Sequence, residues 1–399
     1  MSIPDPFSEL IAPFSRRGVD LGLKRIEAAL EELGHPERRF RAVQVAGTNG
    51  KGSIATMVER IATAAGLRCG LYTSPHLLSW CERIRLPDGA IGEDALKALL
   101  QRLQPLALRH DLTPFELITV AAFVAFAEAE VDLAVLEVGL GGRLDATTVH
   151  PRRDVLAFAN IGLDHVEHLG PTLEAIAHEK AAVMHPGAIA VSGPQAPEVT
   201  AVLQAQATAH GCDLRWRTPV AKDTEGGPAL GLHGALQRSN AAVAIAAAEA
   251  LQETGWPITE AAIRRGLQQA RWPGRLERRQ FRGQALLIDG AHNPPAAAAL
   301  RQELQPAQRR WLIGMQRHKD APDLLRHLLE PGDQVRVVAL PEHASWSAEE
   351  LAPVLPGIQA GSADLRENLE WLVQSEGLPV ACGSLYLVAA LLPLLDPTD

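Results

Sequence analysis

The stretch VQVAGTNGKGSIATMVERIATAAG, residues 43–66, places glycines, one lysine and one serine between an apolar run and a helix-like pattern. That mixture suits an oxyanion. Glycines let backbone N–H groups approach an oxygen ligand with no Cβ in the way. A helix beginning there turns its free N–H groups and positive dipole end towards the anion. A lysine adds a point charge for the terminal phosphates. Gly47, Gly50, Lys51, Gly52 and Ser53 supply all three features, with Thr48 and Asn49 between them. The spacing departs from the general G-x-x-x-x-G-K-[ST] pattern: Gly47 lies only three residues before Gly50, and Gly52 separates Lys51 from Ser53. A nucleotide loop and an ordinary glycine turn between strand and helix both stand on this stretch alone.

Two further places carry candidate chemistry. Glu137 closes the apolar run VDLAVLEV (131–138). A carboxylate is costly inside a core. At a strand's carboxyl end it can serve a hard cation such as the Mg²⁺ that accompanies ATP. The alternative is a strand-end acid reaching solvent; the glycines of the following GLGGRLDAT favour close backbone approach instead. NIGLDHVEHLG (160–170) follows another apolar run and offers Asp164 and His165. His165 reads equally as a satisfied structural residue or as a ligand.

The elements that must hold these groups are legible as short apolar runs: AVQVAG (42–47), VDLAVLEV (131–138), DVLAFANI (154–161) and AIAVSG (188–193). Helix-like segments at 55–65, 93–103 and 115–130 alternate with them. Strands alternating with helices predict a doubly wound, mainly parallel α/β sheet, whose ligands bind at the carboxyl ends of the strands. Residues 218–240 are rich in glycine and polar residues and read as irregular structure; helices follow from Asn240 and over 259–270. The basic stretch RWPGRLERRQFRGQ (271–284) reads as a junction. After it the alternation restarts with ALLIDG, RRWLIGM, QVRVVAL and LPVACG. The expected organisation is a first domain over 1–274, a linker over 275–283, and a smaller Rossmann-like α/β domain over 284–399.

Bulk properties narrow the class. The 399 residues carry a formal net charge of -9, which argues against nucleic acid as partner. Four cysteines with no C-x-x-C pair suggest neither a disulfide framework nor a zinc site, and fit a reducing cytoplasm. The N-terminal sequence lacks the basic start and apolar run of a signal peptide. The apolar run from Leu117 is interrupted by Glu128, too short to cross a bilayer.

Taken in order, AGTNGKGS, YTSPHL (72–77), LEVGLGGRLDAT (136–147), GLDHVEHLG (162–170), HEKAAV (178–183), WPGRLE (272–277), DGAHNP (289–294) and CGS (382–384) resemble the bacterial dihydrofolate synthase/folylpolyglutamate synthase family of the Mur ligase superfamily. The resemblance spans nearly the whole chain. It implies a cytoplasmic, monomeric, ATP-dependent amide ligase. A carboxylate of dihydropteroate or of a reduced folate is phosphorylated by ATP, and the amine of L-glutamate displaces the phosphate. Residue by residue, Thr48, Asn49, Gly50 and Lys51 would form the ATP phosphate cradle together with Gly52 and Ser53. Ser74, Glu137 and His165 would hold Mg²⁺. Lys180 would be carbamylated and bind a second Mg²⁺. Asn240, Arg275 and Asp289 would contact ATP from the linker and second-domain side, with His292 near the transferred phosphoryl group. Arg16, Arg17, Gly18 and Val19, Phe115 and Glu116, and Leu144, Asp145 and Ala146 would line the pterin pocket. Three departures stand out: Thr148 where the family reads asparagine, Ala182 and Val183 after Lys180, and His318 in GMQRHKD, where the family often has aspartate.

Overall fold

The computed structural model describes residues 6–11, 20–341 and 343–397. The chain folds as two compact units. One runs to Gly231 and resumes over Gln237–Arg271; the other comprises Leu232–Leu236 and the chain from Trp272 onward.

Among the described residues of the first unit, eight strands form one sheet. They are β1 (Arg41–Ala46), β2 (Cys69–Tyr72), β3 (Ile84–Leu86), β4 (Gly89–Ala90), β5 (Leu133–Glu137), β6 (Arg153–Phe158), β7 (Ile189–Ser192) and β8 (Asp213–Trp216), in the order β4-β3-β2-β5-β1-β6-β7-β8. The run β2-β5-β1-β6-β7-β8 is parallel, and β3 and β4 add antiparallel at one edge. A parallel sheet needs cover on both faces, which is why β5 reads as an apolar run up to the terminal Glu137 and is buried at every position. The helix Pro114–Glu128 is buried from Glu116 to Ala127, and Phe123 and Phe126 pack on Phe40 at 6.1 and 5.7 Å between ring centroids.

The connections position the site. The chain leaves β1 through the glycine loop and the helix Lys51–Ala64 to reach β2, with β5 later inserted between them; β6 then pairs on the opposite side of β1. The direction of winding therefore reverses at β1, the kind of switch point where open α/β sheets bind ligands. Parallel register brings the ends of these strands to one edge: Val45 lies beside Glu137 and Ala157, and Tyr72 beside Leu136.

In the second unit β9 (Glu277–Phe281), β10 (Gln284–Ile288), β11 (Arg310–Ile313), β12 (Gln334–Val337), β13 (Gln359–Ala360) and β14 (Val380–Cys382) follow the order β13-β12-β11-β14-β10-β9. All pairs are parallel except β9 with β10. Trp311, Ile313, Leu324, Val380 and Cys382 belong to its apolar core.

Here the expected linker over 275–283 is corrected. Residues 277–281 are a strand, and Phe281 sits opposite Gln284 across a two-residue turn. Arg282 and Gly283 have φ of 51° and 74°, the positive values a right-twisting hairpin requires at both turn positions. The basic residues that imitate a loop lie on an edge strand, where charge discourages pairing with another chain. Phe281, 2 % exposed, anchors it. The continuous part of the second unit starts at Trp272 rather than Gln284, and Leu232–Leu236 belong to that unit as well.

The hairpin yields a test. Gly283→Ala forces a Cβ into left-handed backbone and should cost roughly 1 kcal/mol. Urea unfolding should show a lower midpoint at unchanged slope; an unchanged midpoint would mean that the turn does not hold residue 283 in left-handed backbone.

Candidate active site

The glycine loop leaves β1 at Gly47, whose φ is 135°. A Cβ there would lie 2.7 Å from Ala159 Cβ, so the loop runs tight against the end of β6. Thr48 N–H and Asn49 N–H both donate to Asn160 O, at 2.8 and 3.1 Å. The Thr48 hydroxyl donates to Gly162 O at 3.0 Å and accepts from Gly162 N–H at 3.1 Å. Thr48 and Asn49 thus spend these groups tying the loop to the segment that carries His165. The donors left for an anion begin further on.

The helix Lys51–Ala64 opens at Gly50, φ 100°, with no side chain capping it. The N–H groups of a first helical turn have no carbonyl within the helix to bond. Other helices here cap that turn with threonine: Thr113, Thr172 and Thr259 each accept a backbone N–H. The glycine-loop helix instead leaves its start open, with Lys51 Nζ donating back to Thr48 O at 3.2 Å. Ser53 Oγ is buried in the same turn without a hydrogen-bond partner. Asn240 closes over Gly50: a Cβ on Gly50 would come 2.5 Å from Asn240 Oδ1. Asn240 lies on the helix Ala235–Glu253 and belongs to the first unit, not to the linker side.

Ser74 and Glu137 meet after β2 and β5. Ser74 N–H donates to Glu137 Oε2 at 3.2 Å, and Glu137 is only 4 % exposed. Glu137 is therefore a buried strand-end acid rather than one reaching solvent. His165 follows β6 at φ 51°, ψ 40°, its N–H bonded to Asp164 Oδ1 at 3.0 Å and its side chain 41 % exposed. Among the described residues no group of three or more His, Cys, Asp or Glu side chains is gathered to hold a metal ion. The expected set contributes two such residues and a serine.

Lys180, on the helix Leu173–Ala181, is buried. Burial, and then the charge of Lys51, bring its pKa down to about 7; Asp164 and Asp145 oppose the shift. The loop after β5 packs directly on this helix. A Cβ on Gly142 would lie 2.8 Å from Glu179 O and 3.1 Å from Lys180 O, and Arg143 N–H donates to Glu179 O at 3.0 Å.

The pterin candidates divide. Arg16–Val19 lie outside the described residues. Phe115 lies against the strand-end loop: a Cβ on Gly139 would be 2.5 Å from Phe115 Cζ. The Glu116 carboxylate is engaged locally, accepting from Thr113 N–H at 2.7 Å in a capping box and from Arg25 Nε at 3.1 Å. Asp145 is likewise committed. Oδ2 accepts from Gly139 and Leu140 N–H at 2.9 and 3.0 Å, and Oδ1 from Thr147 N–H at 3.0 Å and Thr147 Oγ1 at 2.6 Å. Four bonds fill a carboxylate's acceptor sites. Ala146 is buried and Leu144 half-buried beside it.

In the second unit the expected residues cluster. Asp289 follows β10 and accepts from Leu276 N–H and Ala291 N–H, both at 2.8 Å. Burial raises its pKa, against the charges of Arg275 and His292. The Arg275 guanidinium lies over Gly290, where a Cβ would be 2.3 Å from Nη1. His292 Nδ1 lies 2.8 Å from Gly290 O. His318 sits exposed in a turn after β11.

The sequence reading missed Asn160, Gly162 and Gln44. Gln44 had a signal: it is a polar residue inside an apolar strand run, and it is buried. Asn160 and Gly162 act through backbone groups, which residue type does not announce.

Comparison with known proteins agrees with this geometry. The family model for the Mur ligase middle domain matches residues 45–210, and that for the dihydrofolate synthetase C-terminal domain matches residues 275–394. The chain is 33% identical over 403 residues to the dihydrofolate synthase/folylpolyglutamate synthase of Escherichia coli (strain K12), covering 95% of this chain and 92% of that protein. Its fold matches E. coli FolC in complex with DHPP and ADP with a TM-score of 0.86 at 29% identity, over 98% of each chain. It also matches the bifunctional folylpolyglutamate synthase/dihydrofolate synthase from Yersinia pestis complexed with AMPPNP and Mn ion. There the TM-score is 0.84 at 31% identity, over 98% of this chain and 99% of that one. With an uncapped glycine-loop helix at the sheet's switch point and sequence identity running through both units, this chain belongs to the dihydrofolate synthase/folylpolyglutamate synthase family of Mur ligases.

Proposed function

We propose that this chain is an ATP-dependent amide ligase that joins L-glutamate to dihydropteroate and to reduced folates. The observation that carries the reading is the open start of the helix Lys51–Ala64: no side-chain cap, a lysine at the first position, and a buried serine hydroxyl without a partner. An anion there would satisfy all three.

The acceptor's carboxylate oxygen attacks the γ-phosphorus of ATP, and the bond from that phosphorus to ADP breaks. The amine nitrogen of glutamate then attacks the acyl carbon, phosphate leaves with the bond electrons, and the nitrogen loses a proton. Backbone N–H groups of Gly50–Ser53 and the Lys51 ammonium orient the phosphates and neutralise charge as it develops. Asn240 closes over the loop at Gly50. Arg275, Asp289 and His292 are assigned to the nucleotide as a second set of contacts.

The donor types suit a hard divalent cation: a buried carboxylate at Glu137, the hydroxyl of Ser74, whose backbone N–H bonds that carboxylate, and the His165 imidazole. When bound, such an ion would neutralise phosphate charge. Lys180 is assigned to a carbamate that would hold a second ion. Carbamylation needs a neutral amine, and burial together with Lys51 provides one near neutral pH. A carbamate would also place a negative charge where two ammonium groups now repel. Phe115 is assigned to the flat ring of the acceptor. Glu116 and Asp145 shape that pocket from behind, through the backbone groups they hold. The chain acts on small molecules as a cytoplasmic monomer, without nucleic acid or membrane; among the described residues no helix is long and apolar enough to cross a bilayer.

Two outcomes are expected. Lys51→Ala should abolish glutamate-dependent ADP release with dihydropteroate and with tetrahydrofolate, product masses being read in parallel. Turnover at the wild-type rate would remove the loop from the mechanism, and activity only with a uridine-linked peptide precursor would move the enzyme to another Mur branch. In protein prepared free of bicarbonate, so that the amine is unmodified, Lys180 should titrate near pH 7 when followed by ¹³C-lysine NMR, against 10.5 for an ordinary lysine. Because the unfolded chain binds this proton more tightly, Lys180 costs the native state stability that is regained as pH rises from about 7 to 10.5. Removing the Lys51 charge with Lys51→Met should raise the midpoint; an ordinary lysine titration would refute the buried setting.

A further inference from the structure

Gln44 sits in the middle of β1, 1 % exposed, in a strand otherwise made of apolar side chains and Arg41. Its amide is a hub. Nε2 donates to Thr147 Oγ1 at 2.8 Å and to Thr148 Oγ1 at 2.9 Å. Oε1 accepts from Arg153 Nη1 at 2.6 Å. Both amide hydrogens and one oxygen lone pair are therefore used.

Each partner passes the contact on. The Thr147 hydroxyl donates to Asp145 Oδ1 at 2.6 Å, and Asp145 Oδ2 holds Gly139 and Leu140 N–H. The Thr148 hydroxyl donates to Gly142 O at 2.7 Å, and Gly142 is the glycine pressed against Glu179 O and Lys180 O. Arg153 Nη1 also donates to Val183 O at 3.0 Å, just beyond the Lys180 helix. One buried amide thus connects the strand that feeds the glycine loop, the loop that follows Glu137, and both sides of Lys180.

We propose that Gln44 and Thr148 are positioning residues: they fix the 139–148 loop, and through it the placement of Glu137 and Lys180 relative to the glycine loop, without touching substrate. The proposal rests on the ligase reading for its catalytic consequence. It gives the threonine at 148 a function, since a single hydroxyl there accepts from Gln44 and donates to Gly142. The energetic argument is one of burial. Removing the amide leaves two hydroxyl lone pairs and a guanidinium N–H without their partners in a dry interior, and the loop must move to satisfy them.

The test uses the full-length enzyme with Thr148→Val, Thr148→Ser and Gln44→Met. Activity is read as glutamate-dependent ADP release, and loop order as amide hydrogen exchange. Thr148→Val should lower kcat by about 10- to 100-fold, the range expected when groups behind a reactive centre are removed. KM for ATP should stay within about twofold, because the nucleotide contacts are not touched. Thr148→Ser keeps the hydroxyl and should restore most of kcat. Exchange should quicken across 139–148 in Thr148→Val while the helix 235–253 is unchanged. Gln44→Met should repeat the pattern more strongly; if it fails to fold, the Thr148 pair still decides. Unchanged kcat with unchanged loop exchange overturns the proposal, as does a rise in KM for ATP with kcat intact. If the wild-type protein shows no ligase activity, the ligase reading falls, and the exchange arm alone decides the coupling: local loosening supports it and no change refutes it.

Discussion

Lys180, buried on the helix Leu173–Ala181, feels the charge of Lys51 at the uncapped start of the helix Lys51–Ala64, so positive charge is concentrated in this part of the first unit. The helix macrodipole, uncapped first-turn N–H groups and Lys51 all favour an anion at one spot. Lys180 responds as a buried cation beside another cation must, by giving up its proton more readily. Asp164 and Asp145 oppose that shift, but Asp145 is already committed to four bonds in its own loop. The field is left for a ligand to neutralise.

The sheet makes this arrangement rigid. The glycine loop and His165 follow β1 and β6, and Glu137 ends β5, three adjacent parallel strands whose register is set by backbone hydrogen bonds. Thr48 bonds across to Gly162, so the β1 and β6 ends are tied as well as adjacent. Groups mounted this way need little reorganisation when charge moves during phosphoryl transfer.

Much of this was legible in the sequence, and for definite reasons. Runs such as VDLAVLEV announce a buried parallel strand because both faces are covered, and the observed β5 falls inside that run. The glycine loop announced itself by residue type. Short strands did not: β3 and β4 span three and two residues, too few to show a period. The β9 hairpin was hidden by its charges, which an edge strand tolerates and a loop also shows. At the site, the family resemblance pointed to Glu116 and Asp145 as acids lining the pterin pocket; in the fold Glu116 holds the Thr113 N–H and Arg25, and Asp145 holds the 139–147 loop. Sequence marks a carboxylate but not which lone pairs are already taken. Gln44 was the converse case, a polar residue in an apolar run whose partners only the folded loop reveals.

The β9–β10 pairing also acts as a ruler. Glu277 lies opposite Ile288, so the next residues outward, Leu276 and Asp289, meet through a 2.8 Å hydrogen bond and carry Arg275 to Gly290. A one-residue slip in that ladder would turn alternate side chains to the opposite face and part the guanidinium from the acid. The length of the Arg282–Gly283 turn therefore governs chemistry at the far end of the hairpin, and natural insertions should be tolerated in many surface loops of the second unit before they are tolerated there.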